Sequence, residues 1–128
     1  MNTVQSNTRT TFSTVKVYHT TDPSQMKRMQ PDAPWTRAVL VYVASLCTTR
    51  DVRDTPTLEH VLDQAFELTN SIDAPWVQGR NPRLAVQPYE GGRRSTSVGD
   101  IMELVPASGA STWYLVAPVG FKRINPPA

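Results

Sequence analysis

The chain has 128 residues, 39% of them hydrophobic, with 13 Lys and Arg against 11 Asp and Glu for a net charge of +2. That size fits one domain whose core needs no metal or disulfide staple, and the mild charge excludes the strong basic bias that by itself points to nucleic acid. The longest apolar run, Ala38–Ala44, is far shorter than the ~20 residues of a membrane helix.

Residues 1–11 are polar, carry no signal-like apolar stretch and read as a flexible lead. Phe12–Thr20 alternates: Thr14, Lys16 and Tyr18 point one way, Val15, Val17 and His19 the other. That is a strand pattern. Asp22-Pro23 opens a turn, and Ser24–Met29 has room for one helical turn before Pro31 and Pro34. Met26 and Met29, three apart, read as the edge of a core. Thr36–Leu46 is Val-rich and apolar on both faces, which suits a strand in the interior of a sheet.

The main helix begins at Thr55-Pro56, a capping residue followed by a proline suited to the first helical position. Leu58, Val61, Leu62, Ala65, Phe66, Thr69 and Ile72 form one apolar stripe at helical spacing. Glu59, Asp63 and Glu67 stack four apart on the other side, either a solvated face or a docking face for a basic partner. Asp73 and Pro75 are the expected stop. Trp76 follows, as a lid on the core or as a binding aromatic.

Leu84–Tyr89 reads as a short strand that leaves the sheet at Pro88. In Ser97–Val105 a Gly99-Asp100 turn launches a strand: Gly99 supplies a positive φ and Asp100 bonds nearby backbone. "PASGAS" is a hairpin loop. Trp113–Ile124 reads as one closing strand with a bulge at Pro118 and Gly120, and residues 125–128 as a loose tail. The expected fold is α+β: a small, mostly antiparallel sheet of about five strands in the order β-β-α-β-β-β, packed on one main helix, with a single domain over residues 12–124.

Catalytic and metal signatures are not found. Cys47 is alone and reads as a small buried hydrophobe in a reducing, cytoplasmic compartment. His19 and His60 show no nucleophile or metal-ligand spacing. "GGRRSTSVGD" lacks both the lysine and the glycine spacing of a phosphate loop. The expectation is no catalytic residues, no metal and no cofactor. The candidate binding residues are instead Trp76, Arg80, Arg83, Arg93 and Arg94, with the acidic helix face Glu59, Asp63 and Glu67. A protein partner is the first reading. The alternative is a nucleic-acid interface, with the arginines on phosphates and Trp76 or Tyr89 stacking on bases.

The run Arg94, Ser95, Ser97, Val98, Gly99 and Asp100, followed by Tyr114, Val116, Gly120 and Phe121, resembles the C-terminal part of YodL-like domains. It is similar also to small accessory proteins carried by phages, plasmids and integrative elements. Upstream, Ala65–Trp76 resembles the helix end of the same group, and the likeness spans about Val15–Ile124. The resemblance brings no catalytic residue and no cofactor. It implies an accessory protein of a mobile element that meets a host or defence protein.

Overall fold

The computed structural model describes residues 13–48, 55–70, 83–87 and 94–128. Among these residues six strands form one antiparallel sheet: β1 (Thr14–Thr20), β2 (Leu40–Cys47), β3 (Leu84–Val86), β4 (Ile101–Val105), β5 (Thr112–Val116) and β6 (Phe121–Ile124). They lie side by side in the order β3-β2-β1-β4-β5-β6. A one-turn helix α1 (Pro23–Met26) and a 3-10 turn (Arg37–Val39) join β1 to β2, and the main helix α2 (Thr55–Thr69) follows β2.

The expected α+β class stands, but the sheet has six strands rather than five. The closing strand divides because Ala117, Pro118, Val119 and Gly120 make a complete reversal, with the Ala117 amide bonded to the Gly120 carbonyl and Gly120 at φ +71°. A proline has no amide for a ladder, and glycine reaches a positive φ without steric cost. Together they favour the turn that pairs Val116 with Phe121 and Trp113 with Ile124. β2 is interior, as its two-faced apolar sequence requires, flanked by β1 and the short β3. It begins at Leu40 rather than Thr36, because the Thr36 hydroxyl accepts from the Ala38 amide and caps the 3-10 turn.

The sheet is covered on both faces. On one, Val15, Val17, Ala44, Leu46, Met102, Leu104, Tyr114 and Val116 meet Val61, Leu62 and Ala65 of α2. On the other, Tyr18, Ile101, Trp113, Leu115 and Ile124 meet Met26 and Trp35. The β1–β2 register skips Val43 opposite Val17 and Tyr18, a bulge that bends the strand. Residues 125–128 are not a loose tail. Asn125 donates its amide to the Pro31 carbonyl, Trp35 Nε1 donates to the Asn125 carbonyl at 2.7 Å, and the Ala128 amide donates to the Trp35 carbonyl. Burying an indole obliges its N–H to find an acceptor, and the tail supplies it.

Candidate functional site

Most of "RSTSVGD" is a polar knot inside the fold. Gly99 adopts φ +99° and its α-carbon faces the Pro23 carbonyl so closely that a methyl group there would overlap the carbonyl oxygen. The fully buried Asp100 carboxylate accepts from the Thr20 amide at 2.9 Å and the Ser97 amide at 2.8 Å. Arg94 closes the cage with two parallel 2.7 Å bonds to the same carboxylate, and also reaches the Thr20 carbonyl. A guanidinium fork matches a carboxylate in this geometry. The hydrogen bond to Asp100 and its charge raise the Arg94 pKa above its ordinary value, against the partial burial that lowers it.

A second string of bonds ties this loop to β1 and α2. Thr69 donates its hydroxyl to the Ala65 carbonyl at 2.8 Å, and Thr96 donates its hydroxyl to Thr69 Oγ1 at 2.8 Å. Each hydroxyl has one proton. The 3.0 Å contact of His19 Nε2 with Thr96 Oγ1 is therefore one in which histidine donates. The Thr96 amide bonds to the Thr69 carbonyl, and Asn70 Nδ2 donates to the Thr96 carbonyl. The C-terminal end of α2, whose last carbonyls lack helical partners, is thereby anchored.

The proposed binding residues separate into three groups. Glu59, Asp63 and Glu67 are exposed on α2, opposite its buried stripe, and none joins an ion pair among the described residues. Arg94 is held by Asp100, and Arg83 sits at the turn into β3, where its carbonyl accepts from the Cys47 amide. Trp76, Arg80 and Arg93 lie outside the described residues, as do the expected helix stop and Tyr89. Cys47 is exposed rather than buried: it ends β2, with its thiol 3.8 Å from the Thr48 carbonyl. His60 is exposed on α2.

Two features of the molecule have no signal in the sequence. One is an aromatic row across the second face. Tyr42 and Tyr18 have ring centroids 5.5 Å apart, Tyr18 stacks on Trp113 at 5.7 Å, and Trp35 meets Trp113 edge-on at 5.6 Å. Arg37 lies 5.0 Å from the Trp113 ring centroid, within range of a cation–π attraction. Tyr18 donates to Glu103 at 2.7 Å, and burial together with that carboxylate pushes the phenol pKa well up. Alternation placed Tyr18 on this face, but only strand order brings Trp113 beside it.

The other feature is a pair of surface hollows lined by described residues. One, of about 510 Å³, lies beside Trp35, Met26, Met29 and Val39, with Asp22 and Arg28 on its rim. The smaller, about 180 Å³, lies between α2 and the β5–β6 turn, lined by Asp63, Phe66, Val98, Pro118 and Phe121.

Among the described residues no group of three or more His, Cys, Asp or Glu is placed to hold a metal ion, and no helix is long and apolar enough to cross a membrane. No protein-family model, curated protein or solved structure matches the chain.

Proposed function

We propose that the protein is a non-enzymatic accessory protein of a phage or other mobile element that acts by stoichiometric binding to a protein target, with an anti-defence or host-modulating role. The observation that carries the binding reading is the row Glu59, Asp63 and Glu67: exposed, one turn apart, and without a counter-charge among the described residues. Like charges at this spacing destabilise a helix by ~0.2–0.5 kcal/mol per pair. A basic partner surface would turn that repulsion into attraction and speed encounter. The use of the polar groups agrees: His19, Thr96, Thr69 and Asp100 are spent on internal bonds.

The experiment is capture from a nuclease-treated bacterial lysate with quantitative mass spectrometry. A near-equimolar protein partner is expected, and recovery of no partner overturns the reading. Salt-dependent retardation of generic DNA or RNA, lost on Arg80→Ala/Arg93→Ala, would favour the nucleic-acid alternative instead. Arg94 is left intact in that variant because its guanidinium holds the buried Asp100.

A further inference from the structure

The hollow between α2 and the β5–β6 turn combines shape and charge in a way the larger Trp35 groove does not. Its walls are Phe66 from α2, Val98 from the loop before β4, and Val116, Pro118 and Phe121 from the β5–β6 hairpin. Its volume of about 180 Å³ is close to that of an apolar cavity that accepts benzene. At the turn beside it stands Val119, 92% exposed and the most exposed large apolar side chain among the described residues.

The charge around it has one sign on the helix side. Asp63 lines the hollow itself, three residues from Phe66, and Glu59 and Glu67 stand one helical turn to either side of Asp63. On β6, Lys122 pairs with Leu115 and faces the opposite side of the sheet. Arg123 shares the near side two residues beyond Phe121, and neither lines the hollow. The Trp35 groove instead carries one acid and one base, Asp22 and Arg28, which select no charge.

We propose that this cleft is the docking point for a protein segment that inserts one aromatic or branched apolar side chain between Phe66 and Phe121 and lays flanking Lys or Arg residues along Glu59, Asp63 and Glu67. Val119 would extend the apolar contact at the turn. Apolar burial would supply the anchor, and the charges would set orientation and exclude acidic competitors. The inference rests on the protein-binding reading above and gives it an address and a partner chemistry.

The test is selection of a random 12-residue peptide display library on the intact protein, followed by binding of the enriched peptides to Asp63→Lys and Val119→Asp. Both positions are exposed, so neither change opens the core. Enriched peptides are expected to share an apolar residue flanked by Lys or Arg, to shift the amide resonances of Phe66 and Phe121, and to bind each variant at least tenfold more weakly. Failure to enrich any peptide, or peptides held equally by both variants, would overturn the proposal. Lysate capture separates the two levels. A partner retained undiminished by Asp63→Lys and Val119→Asp sinks the cleft while protein binding stands, whereas absence of any captured partner sinks the broader reading.

Discussion

Arg94 and Asp100 show how a residue that looks like a binding cation is tied to the interior: its guanidinium, 41% exposed, caps a fully buried carboxylate. Asp100 is fully buried and accepts from two backbone amides as well as from the guanidinium. Arg94→Ala takes the charged partner from a buried carboxylate that keeps its two backbone donors, so it should destabilise the fold by ~1–3 kcal/mol in chemical denaturation. Arg94→Lys should recover only part of that, because an ammonium lacks the planar fork. Gly99 and Asp100 were legible locally, since a Gly-Asp turn needs only neighbouring residues. The bonds from Thr20 to Asp100 and from His19 to Thr96 join positions 80 and 77 residues apart, and no spacing rule reaches across that distance.

Tyr18 makes a pH prediction of defined sign. Its folded pKa is raised by burial and by Glu103, so the fold favours the neutral phenol. The contribution is fully present below the unfolded value, about 10 for tyrosine, and is lost as pH rises through the higher folded value. Stability should therefore fall with rising pH above about 10, because the unfolded chain releases that proton first. Tyr18→Phe should flatten this alkaline slope in denaturation curves. It should also lower stability at neutral pH by ~1–2 kcal/mol, since the nearly buried Glu103 loses a hydrogen-bond donor.

At the scale of the element, α2 was the most legible part of the chain. Its buried residues Val61, Leu62, Ala65 and Thr69 are members of the stripe that spacing predicts, and its acids are exposed opposite them. Helical period alone decides both faces. Asp63→Lys replaces two like-charge neighbours with two opposite-charge ones, and should raise stability by a few tenths of a kcal/mol per pair, seen as a small increase in Tm. A rise in stability accompanied by loss of partner binding would separate docking from folding at this face. The closing strand was less legible. Pro118 and Gly120 signal interruption, but a bulge and a reversal begin with the same residues, and only pairing of Phe121–Ile124 back onto β5 distinguishes them.

For the whole molecule, composition and alternation gave the α+β class and the antiparallel habit. They could not give strand order. β1 lies between β2 and β4, and that placement assembles the aromatic row of Tyr42, Tyr18, Trp113 and Trp35. The tail belongs to the same arrangement. Removing residues 125–128 breaks the Asn125, Trp35 and Ala128 hydrogen bonds and should destabilise the fold by ~2–3 kcal/mol at about one kcal/mol per bond. Tryptophan fluorescence of the folded state should shift with it as Trp35 loses its acceptor.

Partner binding through the exposed face of α2 is tested most directly by quantitative lysate capture with three baits: the native chain, Glu59→Lys/Asp63→Lys/Glu67→Lys, and Arg80→Ala/Arg93→Ala. A near-equimolar protein should be captured by the native chain and by the arginine variant, with at least a tenfold loss for the acid-reversed variant. Capture that survives acid reversal and disappears with the arginines would contradict binding through this face.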